Sequence, residues 1–163
     1  MYTKQDFINS FENDMRIINH LIEKLPTDKY DFKLMDNQRA ITDLLHYLSS
    51  IFSDTLQVMK ANDQELYKTL PKAPAITPEN AITQMNAEVA KVKELLAVWT
   101  EEDLKAPISL FGGPSLPKGI MLVDYLLQWA AAYKMQLFLY IKQMGIKVGT
   151  SNVWGGMDMP EIK

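Results

Sequence analysis

Histidine and cysteine, the side chains that most often bind metals or act as nucleophiles, are scarce in this sequence. The chain has 163 residues, no cysteine and two histidines, His20 and His46. The lack of cysteine excludes disulfides, thiolate zinc sites and cysteine nucleophiles. With only two imidazoles, the chain cannot form a three-histidine metal site by itself.

His46 and its neighbour Tyr47 fall on different faces of a predicted helix. Tyr47 shares an apolar stripe with Leu44 and Leu48, whereas His46 lies roughly 100° away from that stripe. We therefore interpret His46 as a boundary histidine, with an acid–base or ligand role as the alternative. His20 lies off the apolar stripe of its own helix, and we expect it at the surface.

Carboxylate chemistry and the common catalytic motifs are also poorly represented. Asp124 and Gln128 are spaced to share a helix face, but a carboxylate metal site needs further ligands on facing helices. The sequence contains no E-x-x-H, G-x-S-x-G, H-E-x-x-H or G-x-G-x-x-G pattern. The pair Gly112-Gly113 is followed by Pro114, which indicates a turn.

Composition and charge exclude several classes of partner. The net charge is −3, and the 17 basic residues are scattered along the chain. This pattern argues against nucleic acid or an anionic membrane as a partner. No apolar stretch reaches the roughly 18–20 residues that a membrane span requires. The N-terminus lacks the apolar centre of a signal peptide, so we expect a cytoplasmic protein.

Four segments have the apolar period of an amphipathic helix. Thr3 is the predicted N-cap of the first, with Asp6 completing a capping box. Thr77 is the predicted N-cap of the third, and Gly145 ends the fourth. The predicted helices cover about 3–25, 38–61, 78–99 and 118–144.

These segments predict an all-α fold, a four-helix bundle over residues 1–145. Two of the connections between the helices are long, which favours crossover connections over a simple up-and-down arrangement. Residues 106–119 are expected to contain an extended piece or a small hairpin. We expect 146–163 to form an irregular tail packed on or flanking the same domain, with Trp154 packed back on the bundle.

Two segments of the chain resemble the DinB/YfiT-like family of four-helix-bundle proteins. Residues 39–48, RAITDLLHYL, resemble the opening of that family's second helix. Residues 133–145, YKMQLFLYIKQMG, resemble the end of its fourth helix. The resemblance covers residues 1–145 and implies the bundle fold.

The same resemblance has an implication for metal binding. Members of that family typically bind a divalent metal such as zinc or nickel through one histidine on helix two and an H-x-x-x-H pair on helix four. The resemblance places these positions at Tyr47, Trp129 and Tyr133, none of which is histidine. It therefore implies a degenerate metal site and no metal cofactor, with His46 as the fallback ligand and Gln136 as a nearby polar group.

Three functional hypotheses follow. In the first, the protein is a metal-free DinB-like bundle that acts as a small-molecule-binding or interaction module and forms a homodimer. In the second, it is a transferase or hydrolase-type enzyme with a reworked pocket between helices two and four. Tyr47 or Tyr133 would then activate a nucleophile, which requires a strongly lowered tyrosine pKa and a nearby cation such as Arg39 or Lys134. In the third, His46 and carboxylates form a residual or intersubunit metal site. We favour the first, for which the sequence names no particular ligand.

Overall fold

The computed structural model describes residues 3–159. Residues 1–2, at the start of the predicted bundle, and 160–163, at the end of the predicted tail, lie outside the described residues. Helix α1 (Lys4–Ile22) begins at the predicted capping box. The Thr3 hydroxyl accepts from the Asp6 N–H (3.1 Å), and the Thr3 N–H donates to the Asp6 carboxylate (2.8 Å).

The remaining regular elements follow in chain order. The α-helices are α2 (Ile41–Leu48), α3 (Ile51–Ala61), α4 (Ala81–Ala97), α5 (Glu101–Lys105), α6 (Lys118–Met121) and α7 (Gln128–Gln143). A 3₁₀ helix spans Gln64–Lys68, and π-helical segments span Leu122–Leu127 and Ser151–Gly155. Strands β1 (Pro107–Ile108) and β2 (Leu116–Pro117) pair antiparallel.

Four long helical units form a bundle, as predicted. The second unit consists of α2 and α3, and the fourth runs without a gap through α6, the π segment and α7. Helix α1 packs on α4 and α7, and the second unit packs on the same two helices through α3 and α2. Two connections, 23–40 and 98–117, therefore cross the bundle diagonally. This is the predicted crossover topology.

The centre of the bundle is filled by close-packed aliphatic and aromatic side chains. Phe11 and Phe52 meet edge to face with ring centroids 4.9 Å apart, and both are fully buried. Each such side chain contributes roughly 1.5–3 kcal/mol by leaving water. Other fully buried side chains include Met15, Ile18, Leu21, Leu44, Leu48, Leu56, Met85, Leu96, Leu126 and Leu137.

The second helical unit is interrupted, so the prediction of one helix over about 38–61 is wrong. Helix α2 ends at Leu48, and the Ser49 hydroxyl donates to the carbonyl of His46 (2.8 Å). Serine hydroxyls compete for helix carbonyls in this way. Helix α3 then starts anew, and its Ser53 N–H donates to the carboxylate of Glu88 on α4 (2.6 Å).

The region before the fourth unit contains the predicted hairpin and one element that was not predicted. Strand residues Pro107 and Ile108 pair with Pro117 and Leu116, respectively. Helix α5 precedes them and begins at a capping box formed by Thr100 and Asp103. Helix α4 starts at Ala81, later than predicted, because residues 78–80 form a separate turn.

The tail packs on α1 through its π-helical turn. Asn152 and Val153 are the buried residues of this turn. Trp154, which we expected to pack on the bundle, is 64% exposed, although its ring lies 5.6 Å from the Lys134 ammonium. Within residues 3–159, no helix is both long and apolar enough to cross a lipid bilayer.

Candidate functional site

Tyr47 and Tyr133 meet between the second and fourth helical units. Their rings lie edge to face with centroids 5.3 Å apart. Both side chains are half-buried. Burial, together with the neighbouring Tyr133, raises the pKa of Tyr47 to about 12. The Tyr47 hydroxyl therefore stays a neutral phenol at physiological pH.

The positively charged side chain of Arg39 lies against this tyrosine pair. Its guanidinium carbon lies 4.4 Å from the ring centroid of Tyr47 and 5.8 Å from that of Tyr133. Its Nη1 also donates to the Tyr133 hydroxyl at 3.3 Å. A guanidinium over an aromatic face is attracted by the negative ring face. The side chain is otherwise exposed, so most of its donors face solvent.

Gln136 acts on Arg39 indirectly, through the buried Tyr140. The Gln136 amide donates to the Tyr140 hydroxyl (2.6 Å), and that hydroxyl donates to the backbone carbonyl of Arg39 (2.8 Å). Gln136, the predicted nearby polar group, thus contacts Tyr140 and, through it, the backbone of Arg39. Its hydrogen bond helps hold the backbone from which Arg39 extends.

Trp129 lies one helical turn before Tyr133 and packs in a different direction. Its ring contacts Tyr125 edge to face (5.5 Å between centroids) and Phe111 (6.0 Å). Phe111 also packs on Tyr67 (5.8 Å) and on Tyr125 (6.2 Å). Together with the tyrosine pair, these side chains form what we call the aromatic cluster: Tyr47, Tyr67, Phe111, Tyr125, Trp129 and Tyr133.

Three irregular segments position Tyr67, Tyr125 and Phe111, which we call the outer half of the aromatic cluster. Tyr67 comes from the 3₁₀ helix, and its hydroxyl bonds to the Thr55 hydroxyl of α3 at 2.8 Å. Tyr125 lies in the π-helical segment of the fourth unit, and such segments often occur at functional sites. Phe111 lies in the β1–β2 loop, and its N–H donates to the side chain of Gln64 (2.9 Å).

His46, the fallback ligand, is directed away from the aromatic cluster. Its Nε2 lies 3.0 Å from the carbonyl oxygen of Ala73, in the loop that follows the 3₁₀ helix. The structure therefore does not bring His46 together with Tyr47 as a pair of ligands.

The residues at the family's metal positions do not fit a divalent metal. Tyr47, whose raised pKa keeps it a neutral phenol, is a poor metal ligand, and the indole of Trp129 has a donor but no acceptor. The Arg39 guanidinium already occupies the face of Tyr47, and its charge would repel a metal ion. In the part of the chain that the structure describes, no group of three or more His, Asp or Glu side chains could hold a metal.

Three residues of the site, Tyr67, Phe111 and Tyr125, were not predicted, and Arg39 was named only as a candidate cation beside the tyrosines. The sequence contains a pattern that indicates Tyr125: Tyr125, Trp129 and Tyr133 are spaced four residues apart and therefore share a helix face. Tyr67 and Phe111 lie outside the long helices, where no periodicity marks a shared face. Their position depends on how the 3₁₀ helix and the hairpin loop fold against the bundle.

Comparison with known proteins gives a family and a fold. The DinB family matches residues 1–161. The crystal structure of a DinB-like protein from Bacillus subtilis is similar with a TM-score of 0.72 and 20% identity, covering 87% of this chain and 94% of that one. A DinB-like protein from Bacillus cereus ATCC 10987 has a TM-score of 0.65 and 16% identity, covering 91% and 98%. The comparison with curated proteins gives no match.

Proposed function

Because this chain belongs to the DinB family, we propose that it is a small-molecule-binding member of that family that works without a catalytic metal. One observation carries the proposal. A guanidinium, that of Arg39, lies over the ring of Tyr47 and beside Tyr133, two positions that the resemblance assigns to metal ligands. The positive charge that a metal ion would provide at this place is provided here by a side chain of the protein itself.

The chemistry of the aromatic cluster suggests the class of ligand. Half-buried rings offer flat apolar faces, which bind the planar body of an organic molecule. Arg39 offers several unused N–H donors, which bind a carboxylate or a similar anion in a two-point contact. We therefore propose a small organic anion with a planar apolar body as the ligand.

An enzyme that uses Tyr47 as a base or nucleophile is less well supported. Such a role needs a lowered tyrosine pKa so that phenolate is present. Burial instead raises the pKa of Tyr47 to about 12. A transferase or hydrolase-type activity would therefore need its reactive group from the substrate, and a residual metal site at His46 would need donors other than the Ala73 carbonyl.

Titration calorimetry with 2-naphthoate, a planar aromatic carboxylate, tests the proposal. We expect saturable binding that Arg39→Gln weakens roughly tenfold, because one charge-assisted contact is lost. Tyr47→Phe keeps the ring and should retain binding, whereas Tyr47→Leu should weaken it. The matched control is Arg16→Gln at the only other arginine, which contacts the tail instead of the aromatic cluster.

Two results would contradict the proposal. The first is binding that depends on a cavity of about 610 Å³ away from the aromatic cluster, which lies between α1, α5 and the start of the fourth unit and includes Ile120 in its lining. Loss of naphthoate binding in Ile120→Gln but not in Arg39→Gln would place the ligand there. The second is stoichiometric zinc or nickel in protein purified without a histidine tag.

A further inference from the structure

Phe111 has an unusual combination of backbone conformation and exposure. Its φ is +54°, in the left-handed region that bulky residues rarely adopt, and its side chain is 58% exposed. Each residue held in this region destabilises the folded state by roughly 1–3 kcal/mol, and such residues often occur at ligand-binding sites. A large apolar side chain is thus held in a costly conformation without becoming buried.

The ring of Phe111 lies among three other rings. Tyr67 stacks on it with an interplanar angle of 27°, and Tyr125 and Trp129 lie on it at tilted angles. The three centroid distances range from 5.8 to 6.2 Å. These are the distances at which aromatic rings attract one another. Tyr67, Tyr125 and Trp129 therefore form a slot, and the exposed ring of Phe111 occupies it.

The chain around Phe111 allows the ring to leave this slot while its neighbours stay in place. Leu110 is fully buried and anchors the preceding residue. Gly112 follows with φ of +76° and has open space around it. Gly113 lies so close to the Tyr125 hydroxyl that a Cβ there would approach within 3.0 Å. Leu110 and Gly113 are therefore packed in place on either side, and the exposed Phe111 ring can turn about its own side-chain bonds.

We infer that the Phe111 ring is an internal stand-in for an aryl ligand. When Phe111 turns outward, the ring of the ligand enters the slot between Tyr67, Tyr125 and Trp129. This inference rests on the proposed function and narrows its ligand to an arylcarboxylate. An aryl group repeats the ring contacts that Phe111 makes, whereas an aliphatic group does not.

The position of Arg39 defines where the carboxylate lies. Trp129 and Tyr133 are one helical turn apart, so their Cβ atoms are roughly 5–6 Å apart. A ring beside Trp129 therefore directs a substituent toward Tyr133, whose hydroxyl accepts a hydrogen bond from Arg39. The slot and the guanidinium together form one site for a ring and its acidic group.

Removal of Phe111 tests this arrangement directly. In wild-type protein the ligand competes with Phe111, so its apparent affinity is reduced by the fraction of open slots. We expect Phe111→Ala to tighten 2-naphthoate binding roughly tenfold in calorimetry, the ratio for a slot open one tenth of the time. Trp129→Leu should abolish binding in both backgrounds. Trp154→Ala, which removes another exposed aromatic ring, is the matched control and should leave the affinity unchanged.

A second measurement follows Phe111 in the wild-type chain. In protein containing 4-fluorophenylalanine, the ¹⁹F signal assigned by Phe111→Leu should move to the solvent-exposed position as 2-naphthoate is added. Cyclohexanecarboxylate, which lacks the aromatic ring, should bind at least tenfold more weakly and leave that signal in place.

The outcomes separate this inference from the proposed function. If Arg39→Gln weakens binding but Phe111→Ala weakens it or has no effect, Phe111 is part of the site wall, and the stand-in role is wrong while the proposed function holds. If neither the wild type nor Phe111→Ala binds 2-naphthoate at millimolar concentration, the arylcarboxylate assignment is wrong. A ¹⁹F signal that stays fixed while naphthoate binds would also overturn the inference.

Discussion

Glu88 is a carboxyl group buried within the apolar face of α4, with 2% of its surface exposed. It accepts hydrogen bonds from the N–H (2.6 Å) and hydroxyl (2.7 Å) of Ser53 at the start of α3. Free N–H groups and the helix dipole at that end favour a negative charge. Burial outweighs them and raises the pKa of Glu88 to about 7. This residue therefore couples the packing of two helices to pH.

The raised pKa predicts how stability changes with pH. Between about pH 4.5, the ordinary value for this carboxyl, and pH 7, the unfolded chain has lost the Glu88 proton while the folded chain retains it. Because the folded state binds more protons there, the free energy of unfolding falls as pH rises through this window and levels off above it. Glu88→Gln should remove up to roughly 3 kcal/mol of that fall.

Urea denaturation at pH 5, 6, 7 and 8 measures this effect. Glu94→Gln, at an exposed glutamate of the same helix, is the matched control and should keep the wild-type pH dependence. A Glu88→Gln variant whose free energy of unfolding declines as steeply as that of the wild type would contradict the prediction.

At the scale of single elements, local capping decides where two of the helices begin. Both α1 and α5 start at a capping box, formed by Thr3 with Asp6 and by Thr100 with Asp103. The box at α5 is reinforced by Lys60 of α3, whose ammonium lies 2.7 Å from the Asp103 carboxylate. A five-residue helix has little stability of its own, so the cap and this contact determine whether it forms.

Thr100→Ala tests the importance of the second capping box. Loss of an N-cap hydroxyl typically costs about 1 kcal/mol, and we expect that loss in the free energy of unfolding. Thr100→Ser keeps the hydroxyl and should remain within about 0.5 kcal/mol of wild type. Hydrogen exchange of residues 101–105 should accelerate in the alanine variant only. Equal protection in both variants would show that packing, without the cap, maintains α5.

At the scale of the whole molecule, the tail is attached to α1 by polar contacts as well as by packing. Arg16 donates to the carbonyls of Gly155 (2.9 Å) and Gly156 (3.2 Å). The buried side chain of Asn152 lies 3.1 Å from the Nε2 of His20 on α1, and it also bonds within the tail to the N–H of Gly149 (2.8 Å) and the Asp158 carboxylate (2.8 Å). These contacts predict that residues 146–159 fold with the bundle but are released before it.

Asn152→Ala should release the tail. Removing one buried amide leaves its partners unsatisfied, which costs about 1–3 kcal/mol. We expect faster hydrogen exchange in residues 149–158, measured by mass spectrometry, with little change in the centre of α7. Lys147→Ala, at an exposed residue of the same tail, is the control. Equal acceleration in tail and bundle would mean that the two unfold as one unit.

The homodimer of the first functional hypothesis stays a prediction. Leu139 of α7 is an exposed leucine on this helix, whereas most of its large apolar side chains are buried or half-buried within the chain. Light scattering coupled to size exclusion measures the mass directly, and a mass near 37 kDa, twice that of the 18.7 kDa chain, is the expected result. A mass of one chain at high concentration would contradict it.

The sequence by itself determined the features that depend on local pattern and residue count. Apolar periodicity located the four long helical units, and Thr3 with Asp6 marked the start of the first. Two histidines were enough to exclude a three-histidine site in one chain. Such conclusions need only neighbours in sequence, because a helix face and a cap involve residues three or four positions apart.

Only the tertiary structure decided the features that join residues far apart in the chain. The restart of the second unit at α3 involves Glu88 from another helix. The outer half of the aromatic cluster includes Tyr67, which comes from a 3₁₀ helix. Arg39 reaches Tyr133 across 94 positions of sequence. No periodicity predicts such contacts, because they form only after the diagonal connections have folded over the bundle. The aromatic residues at the metal positions and Arg39 as a candidate cation were visible in the sequence, but the placement of the guanidinium over Tyr47 and the contact of Phe111 with Trp129 were not.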